Sequence, residues 1–432
     1  MPLSESERDA VIERRRRYLS PAVNSLSIFH GEPFVVERGE GCYLFDAAGQ
    51  RYVDCTAQNV CISLGFGHPL TVAAVRDQVA RMAHCTTLFH HDLPGRYAEE
   101  LVAKMPAGDW VVHLVNSGSE AIDLAYSMAR AHTGRFELLS LRNAYHGAHF
   151  GAVATTAFSV MKPAMPQAPG FVQVIHPDAY KGVFGPGVEP YLAELERTIY
   201  SATSGQVAGM IIEPIQGFGG VVPMPEGYMR RAFEIVRAAG GLAIVDEVQT
   251  GWGRLGTHYW GFEAHGVTPD IVVLGKGMGN GLPIAGIVAR REVAESFARH
   301  YFFNTYGSNP VAVAAARSVI AGLDAEQRQA NAFAMGERAL AGFRRLQQKH
   351  ALIGDVRGQG LFLGVELVQD RVTKVPASEQ AQRVNRLLRD QGVVMVAGSG
   401  GRNVLRFNPS LCIGAGDVDH VVDSLDRALA AV

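Results

Sequence analysis

One lysine of the sequence, Lys276, lies between two glycines in the segment VLGKGMGNG, directly after a short apolar run. A phosphate-binding P-loop does not explain it, because Asp270 stands where that motif requires its first glycine. A dinucleotide-binding fingerprint also fails, since Asn280 occupies the place of its third glycine. The amine therefore needs a chemical role of its own.

A lysine at the end of a buried strand can act as a nucleophile. Burial lowers the pKa of an amine, and a neutral amine forms Schiff bases with aldehydes. Gly275 and Gly277 on either side would let the molecule that carries the aldehyde lie against the backbone. We therefore expect Lys276 to bind an aldehyde cofactor.

A carboxylate follows another apolar run, because Asp246 comes directly after the residues LAIV. A buried carboxylate is costly unless a cation or hydrogen-bond donors meet it. One interpretation is an internal salt bridge, for instance to Arg254. The other is that Asp246 holds the protonated ring nitrogen of a cofactor, with Gln249 as a neutral donor to the same ligand.

Two further strand ends carry candidate binding residues. The segment NSGSE, with Ser117, Gly118 and Ser119, precedes a helical sequence and forms a ready site for phosphate, although a simple serine cap is the plainer alternative. Tyr145 could stack on a flat cofactor ring or pack in the core. His146 is spaced as in an H-x-x-H metal motif but lacks a third ligand, so we expect no metal site.

These residues need a sheet to bring them together. Short runs rich in Val, Ile and Leu alternate with amphipathic helical stretches, which predicts an α/β fold with strands buried on both faces of a parallel sheet. The carboxyl ends of such strands meet at one edge, where ligands bind. The runs span residues 111–115, 137–141, 209–212, 242–245 and 271–274.

Composition limits the class of protein. The chain has 432 residues, 47% of them apolar and 19% charged, with a net charge of −2, which argues against disorder, nucleic-acid binding and attachment to an anionic membrane. No apolar run is long enough to span a bilayer. Five cysteines without a C-x-x-C pair suit a reducing cytoplasm. The arginines at 14–17 accompany acidic residues, so we expect a solvated or subunit-contacting helix there.

A phosphate site, a carboxylate for a pyridinium nitrogen, a stacking ring and a Schiff-base lysine together describe one cofactor, pyridoxal 5′-phosphate (PLP). The segment DEVQTGWGR, which begins at Asp246, followed by Lys276 thirty positions after it, resembles the signature of the class III PLP-dependent aminotransferases. The segments GCYLFDAAGQRYVD, GFGHP, NSGSEA, YHG, GDVRGQGLFLGVEL and VLRFNPSLCI resemble other motifs of that family, in order along nearly the whole chain.

The resemblance implies the fold of the fold type I transferases, with a mostly parallel central sheet, helices on both faces and a smaller α+β domain from the two termini. We expect an N-terminal arm and part of the small domain over residues 1–64, a large PLP-binding domain over 65–318 and a C-terminal small domain over 319–432. It also implies a homodimer with a shared active site, with a tetramer as the alternative.

The resemblance assigns roles residue by residue. It implies Lys276 as the Schiff-base lysine and proton-transfer base, and Asp246 at the pyridine nitrogen. Gln249 would meet the ring oxygen and Tyr145 the ring face, while Thr305 would reach the phosphate from a second subunit. The other residues that we expect around the cofactor or substrate are Ser117, Gly118, Ser119, His146, Glu213 as a gate or salt-bridge partner, Arg406 for a substrate carboxylate, and Asn59.

The motifs are most similar to those of alanine–glyoxylate and 3-aminoisobutyrate–pyruvate aminotransferases. We expect the transfer of an amino group from alanine or a β- or ω-amino acid to a 2-oxo acid such as pyruvate or glyoxylate. A dialkylglycine-type decarboxylase, an epimerase or an aminomutase on the same fold is the alternative, and a cofactor-binding regulator is a non-enzymatic one. Asn59, Trp260 and the loop at Ala397–Gly401 are candidates for substrate selection, and Ser308 replaces a glycine usual in the family.

Overall fold

The computed structural model describes residues 3–24, 33–163 and 166–432. Its α-helices span Glu5–Tyr18, Pro21–Asn24, Pro69–Arg81, Asp92–Val102, Gly118–Thr133, Phe150–Thr155, Glu189–Ala202, Tyr228–Ala238, Arg291–Phe297, Pro310–Ala325, Arg328–Lys349, Ser378–Asp390 and Ala415–Ala430, and short 3₁₀ turns lie at Ser159–Met161, Gly261–His265 and Lys276–Gly279. Within these described ranges, no helix is both long and apolar enough to cross a membrane.

The central sheet has seven strands and is parallel except for one of them. From edge to edge it contains Trp110–Val115, Ala285–Arg290, Ile271–Leu274, Leu242–Asp246, Gly209–Ile212, Leu138–Leu141 and Phe171–Val174. Ala285–Arg290 runs antiparallel to both of its neighbours. The mostly parallel sheet predicted from the apolar runs is confirmed. The runs did not reveal the strands Ala285–Arg290 and Phe171–Val174.

Helices cover both faces of this sheet. Successive strand residues point to opposite faces, so Val245 belongs to one buried cluster and Ile244 to the other. The helix Gly118–Thr133 buries Ala121, Leu124, Ala125 and Ala129 in the cluster with Ile244. The helix Tyr228–Ala238 buries Phe233 in the cluster with Val245. Because helices cover both faces of the sheet, the side chains on both faces are apolar. Each strand therefore appears in the sequence as a continuous hydrophobic run.

Smaller sheets join residues from the two ends of the chain. The N-terminal strands Val36–Glu40, Tyr43–Asp46 and Arg51–Asp54 are extended by Val393–Val394, which pairs in parallel with Val53 and Asp54. A second antiparallel sheet contains Ile353–Gln359, Phe362–Leu367, Val404–Phe407 and Val396–Gly398, and a short hairpin contains Ile215–Gln216 and Val222–Pro223. The N-terminal helix Glu5–Tyr18 buries none of its residues, and its arginines at 14–17 are exposed.

The residues Ala57–Val60 form a single left-handed turn, with φ values of 44°, 51°, 60° and 71°. Residues other than glycine adopt this conformation at a cost of about 1–2 kcal/mol each. Asp54 supports the turn, since its fully buried carboxylate accepts hydrogen bonds from the backbone N–H and hydroxyl of Thr56 and from Gln58 Nε2. The turn exposes Asn59 and precedes the segment that packs on the Lys276 turn.

Candidate active site

The carboxyl ends of the parallel strands enclose a cavity of about 190 Å³. Eight of the residues predicted for the site line it, together with Gly147 and Val248, which were not predicted. The lining residues are Ser117, Gly118, Ser119, Tyr145, His146, Gly147, Asp246, Val248, Gln249 and Lys276. Sequence positions up to 159 apart therefore meet because their strands end at one sheet edge.

Lys276 begins the 3₁₀ turn that follows the strand Ile271–Leu274, and its backbone is left-handed, with a φ of 43°. Burial lowers the pKa of Lys276, which is the direction expected from the sequence. The charges of Asp246, Cys61 and Glu213 oppose this effect, while Arg406 adds to it. The amine therefore gives up its proton more readily than a lysine in water.

The two glycines beside Lys276 differ in how closely the protein packs against them. A Cβ added to Gly277 would lie 2.5 Å from Ser63 Oγ, and the Ser63 hydroxyl donates a hydrogen bond to the Gly277 carbonyl at 3.0 Å. A Cβ on Gly275 would meet Ala285 and Val248 only at ordinary contact distances. The close approach at Gly277 therefore involves Ser63 of the protein itself, and the expectation that a cofactor lies against these glycines stays a prediction.

Asp246 is 5% exposed, and His146 is its partner. His146 Nδ1 lies 2.8 Å from Asp246 Oδ2, and the Val248 N–H donates to Asp246 Oδ1 at 3.0 Å. The predicted alternative, a salt bridge to Arg254, is wrong. Arg254 donates instead to the carbonyls of Leu361 and Pro409. His146 thus lines the cavity and also fixes the orientation of the carboxylate.

The helix Gly118–Thr133 provides the predicted anion site. Ser117 caps it by accepting from the Glu120 N–H, and Glu120 accepts from the Ser117 N–H in return, so the plain capping interpretation holds for the Ser117 side chain. The N–H groups of Gly118 and Ser119 lie in the first turn and have no acceptor among the described residues. They line the cavity, at the positive end of the helix dipole.

Ser119 and Gly147 hold the two sides of the anion site together. A Cβ on Gly147, whose φ is 130°, would lie 2.4 Å from Ser119 Oγ, so the segment Tyr145–Gly147 needs glycine at its last position. Ser119 Oγ also accepts a hydrogen bond from the Ala148 N–H at 3.0 Å. The loop that follows the strand Leu138–Leu141 therefore contacts the first turn of the helix Gly118–Thr133.

Tyr145 is half-buried and lies 5.3 Å, centroid to centroid, from the ring of Phe218. Its backbone N–H donates to Glu213 Oε1 at 3.0 Å, and the Gly217 N–H donates to Glu213 Oε2 at 2.9 Å. No lysine or arginine among the described residues forms a salt bridge with Glu213, so the structure does not contain the predicted ion pair, and the gate stays a prediction. Burial raises the pKa of Glu213 to about 7, and His146 opposes the rise.

Besides Glu213, three predicted residues lie outside the cavity lining. Thr305 and Asn59 are exposed in the single chain. Arg406, on the strand Val404–Phe407, is close enough to influence the pKa of Lys276, and burial lowers its own pKa to about 10. Its Nε is buried without a hydrogen-bond partner among the described atoms. Gln249 lines the cavity and packs against Gly217, where an added Cβ would lie 2.4 Å from Gln249 Nε2.

The structure corrects one candidate for substrate selection and adds one supporting residue. Trp260 is completely buried, and its indole N–H donates to the Lys104 carbonyl, so it cannot select substrates. Glu247 was missed by sequence reasoning. It is also completely buried and accepts hydrogen bonds from the Phe262 N–H at 2.7 Å, the Gly261 N–H at 3.0 Å and the Thr250 hydroxyl at 2.7 Å. Its place directly after Asp246 was the available signal.

The residues present fit PLP. Two backbone N–H groups at a helix start form an anion site that suits the phosphate. The buried Asp246 has no lysine or arginine partner among the described residues. Its carboxylate is therefore available to a protonated ring nitrogen. Lys276 offers an amine with a lowered pKa in the same cavity. No cluster of acidic, His or Cys side chains in the described ranges could hold a metal ion.

Glu247 should make the stability of the protein depend on pH. Burial raises its pKa from 4.5 to about 7, so the folded protein binds an extra proton between these values. The stability that this proton confers is complete below the lower value and is lost as pH rises through the upper one. Relative to Glu247→Gln, the wild type should lose about 3 kcal/mol of unfolding free energy between about pH 5 and about pH 8.

Chemical denaturation of both proteins across this pH range measures the difference. A constant offset between wild type and Glu247→Gln would show that the substitution only changes hydrogen bonding. A difference that grows in favour of the wild type as pH rises would contradict the raised pKa of Glu247.

Comparisons with known proteins agree with this geometry. The family model "Aminotransferase class-III" matches residues 28–429. Alanine–glyoxylate aminotransferase 2 homolog 2 of Arabidopsis thaliana is 38% identical over 99% of this chain and 89% of its own length. An (S)-enantioselective omega-transaminase from Thermomicrobium roseum superposes with a TM-score of 0.91 at 31% identity, covering 100% of this chain and 99% of its own.

An amine transaminase from an uncultivated Pseudomonas species, solved in its PLP-bound form, superposes with a TM-score of 0.88 at 29% identity, covering 96% of this chain and 98% of its own. The family model thus spans nearly the whole chain, and the residues of the site fit PLP. The chain belongs to the class III aminotransferases, PLP-dependent enzymes that transfer an amino group from an amino acid to a 2-oxo acid.

Proposed function

We propose that the enzyme transfers the amino group of alanine, or of a β- or ω-amino acid, to glyoxylate or pyruvate. The name of the Arabidopsis relative, alanine–glyoxylate aminotransferase, suggests this substrate pair. The observation that carries the proposal is the half-buried Arg406, whose Nε is buried without a hydrogen-bond partner among the described atoms and whose charge is close enough to Lys276 to lower the pKa of the lysine. A substrate carboxylate would supply the missing partner.

We assign the cofactor contacts by position in the cavity. The N–H groups of Gly118 and Ser119 would bind the phosphate, and Asp246 would hold a proton on the ring nitrogen. Tyr145 would cover one face of the ring, and Gln249 would donate to the ring oxygen. When bound, PLP supplies an aldehyde that condenses with amino groups and a protonated ring that withdraws electrons from the reacting carbon.

The side chains of the protein then control one proton. Lys276 Nζ, with its lowered pKa, accepts the proton from the carbon that bears the amino group of the donor. It returns a proton to the corresponding carbon of the acceptor in the second half-reaction. His146 keeps the Asp246 carboxylate in place throughout, because both side chains are almost completely buried and directly bonded.

The substrate proposal is tested by single half-reactions. Mixing the holoenzyme with alanine, β-alanine, 3-aminoisobutyrate or ornithine should convert PLP to pyridoxamine phosphate fastest with alanine or a β-amino acid, without release of CO₂. Glyoxylate or pyruvate should restore the starting spectrum. Stopped-flow absorbance and CO₂ detection measure both steps.

Rapid CO₂ release, or racemisation of alanine without formation of pyridoxamine phosphate, would exclude the transamination that we propose. Conversion by ornithine alone would keep the aminotransferase assignment and overturn the proposed donor.

Replacement of Arg406 should slow the reaction of donors that carry a carboxylate but not of donors that lack one. Arg406→Ala should lower kcat/KM for alanine about ten- to a hundredfold, because a charge-assisted hydrogen bond of about 1.5–3 kcal/mol is lost. A donor without a carboxylate, such as 1-phenylethylamine, should react no more slowly than with the wild type. Steady-state kinetics with both donors measure this.

Arg402→Ala, at an exposed position four residues earlier, is the matched control and should leave both reactions unchanged. An equal loss with both donors for Arg406→Ala would show a structural role for Arg406 and remove the carboxylate assignment.

We further propose a homodimer in which Thr305 of each subunit completes the phosphate site of the other. Thr305 is exposed and lies among large exposed apolar residues, with Tyr301, Phe303 and Tyr306 at 106%, 56% and 60% exposure. Solvent-exposed apolar groups of this size are typical of an interface. Ser308 adopts a φ of 63°, so it keeps the left-handed backbone for which glycine is favoured.

Subunit exchange tests this arrangement. Thr305→Ala should weaken PLP binding about ten- to a hundredfold through the lost phosphate hydrogen bond, while Thr305→Ser should keep wild-type affinity. A hybrid of one Thr305→Ala subunit and one Lys276→Ala subunit should contain one intact site, because Lys276 and Thr305 come from different chains. Its PLP titration should show one tight, active site per dimer.

If Thr305 acted within its own chain, the hybrid would contain no intact site, and its one subunit with Lys276 would bind PLP as weakly as the Thr305→Ala protein does. A monomeric mass by light scattering would also remove the proposal.

A further inference from the structure

One arginine is completely buried outside the cavity that Lys276 lines. Arg254 is 1% exposed, and its Nη1 donates hydrogen bonds to the carbonyls of Leu361 at 3.1 Å and Pro409 at 2.7 Å. Its Nη2 is buried without a partner among the described atoms. Burial lowers the pKa of Arg254 to about 9, so the side chain stays charged near neutral pH. A buried cation is costly, and the bonds to the two carbonyls offset this cost.

The two carbonyls lie at the end of one pair of strands. Phe362–Leu367 and Val404–Phe407 pair antiparallel, and their register, continued by two residues past its last pair, places Leu361 opposite Pro409. Proline has no N–H, so Pro409 cannot donate to a further ladder bond. Arg254 occupies this end of the ladder instead. Its side chain donates to both carbonyls, and its own carbonyl accepts from the Leu361 N–H at 3.0 Å.

The same strands carry Arg406, the residue proposed to bind the carboxylate of the donor. Arg406 lies three residues before Pro409 and is paired on both sides, with Gly364 opposite it on one neighbouring strand and Val396 on the other. The place of its backbone therefore depends on the strand pair whose end Arg254 holds.

The other end of this link is the segment that carries the cofactor carboxylate. Arg254 lies eight residues after Asp246, which lines the cavity. Next to Arg254, the Gly253 N–H donates to the Tyr259 carbonyl at 2.9 Å and fixes the end of that segment. Arg254 thus joins the segment that begins with Asp246 to the strand pair that carries Arg406.

We propose that Arg254 is a positioning residue for donor recognition, because it fixes the strand pair of Arg406 to the segment of Asp246 and so sets where Arg406 meets the donor carboxylate. This inference rests on the proposed function of Arg406. Arg254 is buried outside the cavity lining, so it acts through Arg406 and not by touching the donor. Loss of its two bonds should weaken the binding of donors that carry a carboxylate and leave proton transfer by Lys276 intact.

The test compares alanine with 1-phenylethylamine, which has no carboxylate, in the full-length holoenzyme. Arg254→Met keeps a long unbranched side chain but removes the donors. It should raise KM for alanine about tenfold, with kcat within about twofold, and leave kcat/KM for 1-phenylethylamine unchanged. Arg254→Lys keeps a charged donor and should show a smaller rise in KM, again with alanine alone.

Arg371→Met is the matched control. Arg371 is exposed and also donates to backbone carbonyls, those of Ala351 and Ile353, so its replacement removes similar bonds at the surface. Both donors should react with Arg371→Met as they do with the wild type.

A double variant separates positioning from general damage. Arg254→Met added to Arg406→Ala should lower kcat/KM for alanine by less than about a further twofold, because the guanidinium that Arg254 positions is then absent. Equal losses with both donors, or losses that multiply in the double variant, would overturn the positioning role. If Arg254→Met does not fold, Arg254→Lys provides the same comparison and the same double variant.

Two outcomes distinguish this inference from the proposed function. If Arg406→Ala loses rate with alanine while the Arg254 variants keep it, the positioning role alone is overturned. If Arg406→Ala itself keeps its rate with alanine, the carboxylate assignment of Arg406 is overturned, and the role of Arg254 with it.

Discussion

The active site depends on a negative charge that is buried with no lysine or arginine at salt-bridge distance in the described part of the chain. Asp246 ends a central strand, and among the described residues its only partners at hydrogen-bond distance are His146 Nδ1 and the Val248 N–H. A carboxylate in such a position is costly unless further donors or a positive charge meet it. In the arrangement that we propose, a protonated ring nitrogen of PLP would satisfy this need, and the carboxylate would in turn keep that nitrogen protonated. The position of Lys276 follows, because Asp246 pairs in register with Val273 on the next strand.

Much of this arrangement could be predicted from local sequence. Asp246 and Lys276 each follow an uninterrupted apolar run, and the ends of parallel strands share one edge. Gly118 and Ser119 begin a helix whose first-turn N–H groups must find acceptors outside it. These inferences need only the order of residues within a strand, a turn or a helix start. The same reasoning could not reveal the antiparallel strand Ala285–Arg290, because strand direction depends on the path of the whole chain.

The interactions that were missed or misassigned join residues far apart in sequence. His146 and Asp246 are 100 residues apart, and Ser63 and Gly277 are 214 apart. No local pattern relates such pairs, so the sequence offered Arg254 as an alternative partner for Asp246 and did not indicate Ser63 beside Gly277. Glu247 shows the same limit. Its donors Gly261 and Phe262 begin the 3₁₀ turn Gly261–His265, which lies beside Glu247 only in the folded chain. Long-range polar contacts, rather than strand or helix identity, are what the structure adds.

We propose that Lys276 binds PLP covalently in the cavity that Asp246 and the helix start at Gly118 also line. Borohydride reduction of the holoenzyme, followed by peptide mass spectrometry, fixes PLP on whichever amine holds it. We predict a single modified peptide containing Lys276, and no modified peptide from Lys276→Ala treated in the same way. A label on another lysine, or an unchanged label in Lys276→Ala, would contradict the account.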